Sequence, residues 1–324
     1  MYLIVGAKGF LGSYLIKNIL SMTKDEIIAT DMALPEKEDN PRVKWVRCDV
    51  SNKDDIRELN GICSGSENLR VFYLSLIHIS EPASDVYKRQ GMCSGSENLR
   101  VFYLAAYHHP DQVLQNPRIA WNINITALSE FLNTMENIKV LYYPSTEVVY
   151  GQGRDGYRFK ESDELHPANR YGEHKTVAER MVNVAGYNVV RFPVLMGPSL
   201  VKGKKHFYDE IVGTVQSGGS MEMFEDQKRT MIDFDTASEM LIKLSETPKA
   251  QEYPIVNIAG DEALSKYELG LRIVRKHGLD ESKIRPISMD ADNKIFTAKR
   301  AKETLLDNSL VKKILHLETL KIRL

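Results

Sequence analysis

A threonine, a tyrosine and a lysine carry the chemistry this sequence could do. Tyr171 and Lys175 stand four residues apart in Tyr171-Gly172-Glu173-His174-Lys175, one helical turn, so on a helix both project from the same face. A phenol with its ordinary pKa of about 10 is a poor base at neutral pH. An adjacent ammonium favours the phenolate and pulls that value down, which suits the pair to exchange a proton with an alcohol or ketone oxygen. Thr146, at the end of the run Lys139-Val140-Leu141-Tyr142-Tyr143-Pro144-Ser145-Thr146, offers a hydroxyl to fix that oxygen. Delivery of hydride to the adjoining carbon, or its removal, would complete an interconversion of ketone and alcohol. The candidate catalytic set is Thr146, Tyr171 and Lys175.

Hydride chemistry needs a carrier, and the first residues supply a place for one. Tyr2-Leu3-Ile4-Val5 is a short continuous apolar run of the kind that forms a strand buried on both faces of a parallel sheet. It leads into Gly6-Ala7-Lys8-Gly9-Phe10-Leu11-Gly12, after which Leu11, Leu15, Ile16, Ile19 and Leu20 form one helical stripe. The glycines therefore sit at a strand-to-helix turn. Gly6 permits the tight turn, Gly9 lets backbone approach a pyrophosphate on the helix N-terminus, and Gly12 permits close packing of helix on strand. Asp31 ends the next apolar run, about 20 residues further on, where an acid accepts from an adenosine 2′-hydroxyl and repels a 2′-phosphate. This favours NAD, with NADP still open.

A second run, Val43 to Val50, alternates like a strand and delivers Asp49 at its end. The spacing of the glycine motif and this later Asp49-Val50 resembles the extended short-chain dehydrogenases, the NAD-dependent epimerase/dehydratase superfamily. The resemblance implies that Asp49 and Val50 meet the adenine, that Phe10 and Leu11 belong to the cofactor turn, and that Tyr171 and Lys175 also contact the cofactor, Lys175 at the nicotinamide ribose. Asp49 could equally cap the helix that starts near Asn52. Ala105-Ala106-Tyr107, after the strand Val101-Phe102-Tyr103-Leu104, matches the family's small-residue turn beneath the cofactor. Within the family, Ser145-Thr146-Glu147 followed by Pro167-Ala168-Asn169-Arg170-Tyr171-Gly172 is similar to dTDP-4-dehydrorhamnose reductases and related sugar-nucleotide enzymes. So is Arg300 to Asn308, with Ala301 where Pro is usual.

That resemblance implies a Rossmann-type α/β fold, a doubly wound parallel sheet with a smaller interleaved C-terminal substrate lobe. The expected division is residues 1–190 for the nucleotide domain and 191–324 for the lobe, with Tyr253 to Gly260 as a strand returning to the sheet. Ser265 and Glu268 read as a capping box for a helix ending near Gly278. The implied substrate is a nucleotide sugar, reduced at a 4-keto group. A 4-epimerase would use the same three residues, and a non-catalytic regulatory subunit would keep the cofactor site. A 4,6-dehydratase is disfavoured because Val148 stands where a second acid is needed. Lys202, Lys204 and Lys205, with Arg229, could meet a diphosphate or form a solvated basic loop. Ile232-Asp233-Phe234-Asp235 resembles an acidic family motif and is given no catalytic role.

Composition narrows the partners. Lys and Arg total 43 against 44 for Asp and Glu, a formal charge of -1, so no global field draws nucleic acid or an anionic membrane. No stretch approaches the roughly 18 apolar residues of a membrane span, nor does a basic leader precede Met1-Tyr2-Leu3. The three cysteines, Cys48, Cys63 and Cys93, lack metal-ligand spacing. His108, His109 and Asp111 read as a polar loop rather than a metal site. The expectation is a cytoplasmic protein, with no metal, no nucleic acid and no membrane, and with room for a homodimer.

One region does not fit. Gly61 to Leu74 recurs as Gly91 to Leu104, differing only at Ile62 and Met92. Between the copies, Ser75 to Gln90 resembles translated sequencing-adapter DNA. The expectation is an assembly insertion with a duplicated flank over 61–90, the alternative being a real lid. Only one Val-Phe-Tyr-Leu copy can enter the sheet, and the second is expected there because Ala105-Ala106 follow it.

Overall fold

A computed structural model describes residues 1–35, 40–65, 98–290 and 296–324. The strands are β1 (Tyr2–Val5), β2 (Ile27–Asp31), β3 (Val43–Arg47), β4 (Leu99–Tyr103), β5 (Ile138–Thr146), β6 (Arg158–Phe159), β7 (Asn188–Phe192), β8 (Leu195–Met196), β9 (Met221–Phe224), β10 (Lys228–Thr230), β11 (Ile232–Asp233), β12 (Ile255–Asn257), β13 (Ala263–Ser265), β14 (Ile284–Ile287) and β15 (Glu303–Leu306). The helices are α1 (Phe10–Met22), α2 (Lys53–Cys63), α3 (Pro110–Gln115), α4 (Pro117–Trp121), α5 (Ala127–Thr134), α6 (Arg170–Val184), α7 (Phe207–Gln216), α8 (Phe234–Glu246), α9 (Lys266–Lys276) and α10 (Ser309–Leu315).

Seven parallel strands form the main sheet in the order β12-β7-β5-β4-β1-β2-β3. The chain runs outward from β1 through β2 to β3, then restarts on the other side with β4. The strand order thus reverses between β1 and β4, and in open α/β sheets ligands lie beyond the strand ends at such a reversal. The period of two along each strand divides its side chains between two cores. Tyr2, Ile4, Phe102, Val140 and Tyr142 face the layer that holds α1, α8 and α10. Leu3, Val5, Val101, Tyr103, Leu141 and Tyr143 face the layer of α2, α5 and α6. Burial on both faces explains why these runs are apolar throughout rather than alternating with polar residues.

The expected stripe of α1 holds: Leu15 and Ile19 are fully buried, with Leu11, Ile16 and Leu20 packed beside them. The second sequence copy supplies β4, while 66–74 of the first copy and all of 75–90 lie outside the described residues. The expected strand over 43–50 ends at Arg47, and the one over 253–260 shortens to β12, which pairs with β7 at the sheet edge. The C-terminal half also builds its own core around Met196, Ile211, Met223, Leu269 and Ile273. A four-stranded sheet, β13-β10-β15-β6, stitches β6 of the earlier chain to that half. The Ser265–Glu268 capping box forms as expected, and Gly278 follows the helix with a φ of 64°.

Candidate functional site

The ends of β1, β4 and β5, three neighbours in the sheet, lead into the Gly6–Gly12 turn, the Ala105-Ala106 segment and Thr146. Gly6 turns the chain with a φ of 85°, a conformation that a side chain makes costly. A Cβ there would stand 3.0 Å from the Ala105 nitrogen, and one on Gly12 only 2.5 Å from the Ala7 carbonyl oxygen. The turn therefore abuts the Ala105-Ala106 segment directly. Gly9 is the N-cap of α1 and leaves that helix end without a side-chain cap. The first amides of a helix have no partner within it, so those of Phe10, Leu11 and Gly12 form a cradle that suits a phosphate. The Asp31 carboxylate is held at this turn by the Lys8 amide at 3.0 Å and the Met32 amide at 2.9 Å. These features fit the expected dinucleotide.

The Phe10 ring lies edge-on to His206, 4.8 Å between centroids, with the Lys204 ammonium 4.9 Å from its centre. Asp49 accepts from the Ser51 amide and hydroxyl at 2.9 and 2.7 Å, and it is Asn52 that caps α2. The Val50 side chain packs into the core. Tyr107 is pinned through its own backbone: its amide donates to Asn124 Oδ1 at 2.8 Å and its carbonyl accepts from Asn124 Nδ2 at 3.0 Å. Asn124 was not among the expected residues. It lies in a π-helical turn, Asn122–Thr126, a feature frequent at functional sites.

Helix α6 carries Tyr171 and Lys175 and packs against the end of β5, where Lys175 meets Tyr143 and Pro144. Asn169 caps it by accepting from the Gly172 amide at 3.0 Å. A Cβ on Gly172 would meet the Val148 carbonyl oxygen at 3.1 Å, so the helix start lies against the turn that follows Thr146. Thr146 donates to Glu147 Oε2 at 3.3 Å and accepts from the Val148 amide at 3.3 Å. Glu147 is buried, which raises its pKa, while the Arg229 guanidinium opposes that rise from 3.4 Å. The Ser145 hydroxyl beside them is buried without a hydrogen-bond partner among the described residues.

The electrostatics correct one expectation. Burial first, and the Glu147 charge second, push the Tyr171 phenol up rather than down. Lys175 does not donate to Tyr171. It donates to Tyr143 Oη at 2.9 Å and to the Pro144 carbonyl at 2.6 Å. Burial lowers its pKa to about 7, Glu179 opposing weakly. Tyr143, fully buried on β5, is therefore a neighbour of the site that the sequence reading missed.

A second correction concerns Arg229. Its guanidinium points inward, donating to the carbonyls of Lys228, Ala301 and Lys302 at 2.7 to 2.9 Å besides meeting Glu147, so it does not join the exposed lysines at 202–205. Asp233 caps α8 and Asp235 pairs with Lys17 at 2.7 Å, in keeping with structural roles. Asp111 is held by Arg300 at 3.1 Å and the Ala298 amide at 2.6 Å. Among the described residues, no group of three His, Cys, Asp or Glu side chains could hold a metal, and no helix is long and apolar enough to cross a membrane.

Comparison with known proteins follows the same lines. Residues 2–62 match the NAD dependent epimerase/dehydratase family, and residues 82–323 match the RmlD substrate binding domain. Methionine adenosyltransferase 2 subunit beta of Xenopus laevis is 28% identical over 212 residues, covering 63% of this chain and 61% of that protein. Its Bos taurus counterpart is 29% identical over 221 residues, covering 66% and 62%. The chain thus spans about three fifths of the length of these relatives. Among solved structures, a hypothetical dTDP-4-dehydrorhamnose reductase from Sulfolobus tokodaii superposes with a TM-score of 0.71 at 21% identity, covering 100% of this chain and 97% of that one. A dTDP-4-dehydrorhamnose reductase from Bacillus anthracis, solved with NADP, gives 0.71 at 18% identity over 99% and 94%. UDP-glucuronic acid 4-epimerase from Bacillus cereus, solved with UDP-glucuronic acid and NAD, gives 0.75 at 17% over 100% and 94%. At these identities the solved structures establish the fold, a Rossmann-like α/β sheet. With most of its length matched, the chain belongs to the RmlD substrate binding domain family.

Proposed function

We propose that the chain is an NAD(P)-dependent oxidoreductase that reduces the 4-keto group of a nucleotide-linked sugar, with residues 191–324 as the substrate lobe. The observations that support this reading are the close approach of Gly6 to Ala105, the pairing of β1 with β4 and of β4 with β5, and the seating of α6 at Gly172 against the turn after Thr146. Gly6, Gly9 and Gly12, with the amides of Phe10 and Leu11, would hold the pyrophosphate. Asp31 would take the adenosine ribose, the backbone of Asp49 and Val50 the adenine, and Ala105, Ala106 and Tyr107 the nicotinamide side. The bound dinucleotide supplies the hydride.

The chain's own part is positioning and proton transfer. Thr146 and Tyr171 hydrogen-bond the substrate oxygen and fix the carbonyl carbon for attack. Tyr171, kept as a neutral phenol by burial and by Glu147, is the proton donor as that oxygen becomes an alcohol. Lys175 holds ribose hydroxyls and steadies the charge left on Tyr171. A 4-epimerase would use the same contacts and differ in retaining its dinucleotide.

A second reading, a regulatory subunit that keeps the dinucleotide site without turnover, is favoured by two observations. The curated relatives are named as a subunit, and Lys175 donates to Tyr143 rather than to Tyr171. The experiment that separates the readings incubates the purified chain with NADH or NADPH and a panel of nucleotide-linked 4-keto sugars. Loss of reduced-nicotinamide absorbance is the expected result. No loss, together with no epimer formed from ordinary nucleotide sugars, would leave the regulatory reading standing.

A further inference from the structure

We propose that Tyr143 is a positioning residue that keeps Lys175 among neutral oxygens, so that binding of a nicotinamide dinucleotide draws a proton from solvent onto Lys175. This rests on the cofactor site of the preceding section and goes beyond it by coupling that site to pH.

Three observations carry it. Lys175 is 4% exposed, and its ammonium donates to Tyr143 Oη at 2.9 Å and Pro144 O at 2.6 Å and lies 4.2 Å from the centre of the Tyr143 ring. Both oxygens are uncharged. The ring is immobilised by an aromatic ladder in the core: Phe131 meets Tyr103 at 4.9 Å, and Tyr103 meets Tyr143 at 6.3 Å. Finally, among the described residues no carboxylate pairs with Lys175. Glu179, one turn further along α6, has both oxygens taken by Arg191 at 3.0 and 2.7 Å.

Among the described residues, the other ionisable groups nearby are Tyr171 and Tyr103, which act on Tyr143, and His108 in the loop after β4, where positive charge on Lys175 works against protonation. None of them supplies an anion at neutral pH. A cation held by two neutral oxygens and a ring face in a desolvated place is easily stripped of its proton. Ribose hydroxyls and the field of a dinucleotide's phosphates favour the charged form, so binding and protonation reinforce one another. Tyr143 sets where that exchange begins, because its oxygen stabilises the ammonium by one charge-assisted hydrogen bond.

The test measures NADPH and NADH affinity of the full chain against pH, for wild type and Tyr143→Phe, with calorimetry in buffers of different ionisation enthalpy to count protons. Wild type should take up a fraction of a proton on binding near neutral pH, and its affinity should fall as pH rises. Tyr143→Phe removes an acceptor from the ammonium. The fall should then begin about one pH unit lower, the equivalent of one such hydrogen bond. A purely packing role for Tyr143 would weaken binding evenly at every pH without moving that midpoint.

Coincident midpoints, or no proton uptake by the wild type, would overturn this inference and leave the oxidoreductase reading untouched. Failure of the wild type to bind either dinucleotide would overturn both. Proton uptake by the wild type reads the proposal without any variant, and Lys175→Met, which has no proton to gain, should bind with none.

Discussion

Arg191 and Lys175 are two cations buried against the same helix, and α6 treats them in opposite ways. Arg191, 1% exposed on β7, forks onto both oxygens of Glu179 and donates to Tyr150 Oη at 2.6 Å. Burial works against its charge, but the Glu179 carboxylate overcomes that and leaves the guanidinium above its ordinary value. Lys175, one turn earlier than Glu179 and almost as buried, has two neutral oxygens, and burial wins. The first cation ties the sheet to α6 and to the turn at Tyr150. The second sits where chemistry is proposed, and its charge is adjustable because nothing compensates it. In this pair, the compensated charge marks structure and the uncompensated one the proposed site.

The largest expected effect tests the compensated side. Glu179→Gln leaves Arg191 as a buried charge without its carboxylate and should cost about 3–5 kcal/mol in urea unfolding. A loss below about 1 kcal/mol would mean that the pair does not bear the fold as argued. At the proposed site, Gly12→Ala forces a Cβ to within 2.5 Å of the Ala7 carbonyl oxygen, and backbone must shift. A loss of about 1–3 kcal/mol in melting experiments is expected, with weakened dinucleotide binding.

Lys175→Met should stabilise the fold at neutral pH, by about 1 kcal/mol or more, because it removes a charge the fold does not compensate. The pH dependence sharpens this. The folded lysine titrates at about 7 and the unfolded one at the ordinary 10.5, so between those values the unfolded chain binds more protons. Wild-type stability should therefore rise with pH across that window when measured relative to Lys175→Met. A flat difference would place the amine in water. Smallest of all, Lys204→Ala removes an exposed cation from above Phe10 and should shift unfolding by no more than about 0.5 kcal/mol.

How much of this was legible in the sequence depends on how far apart the partners lie. The Gly6–Gly12 turn, the stripe of α1 and the Ser265–Glu268 box are decided by neighbours within one helical turn, and each formed as read. The spacing of Tyr171 and Lys175 likewise put both on one helix, α6. What Lys175 bonds to was not legible, because Tyr143 is brought to it by the packing of α6 on β5, 32 residues away in sequence. Arg229 was misread for the same reason. Its carbonyl partners at Ala301 and Lys302 arrive through the pairing of β10 with β15, and Glu147 reaches it from the end of β5. Asn124 lies in an apolar helical stretch with no periodic signal that distinguishes it from a surface polar residue.

The most direct measurement of the central claim is turnover of Tyr171→Phe, alongside its affinity for NADPH and NADH. The phenol is assigned the proton transfer and has no part in holding the dinucleotide's phosphates. Turnover should fall by at least about 10²-fold while cofactor affinity stays near that of the wild type. Unchanged turnover in an enzyme that otherwise reduces its substrate would remove Tyr171 from the mechanism and contradict the account.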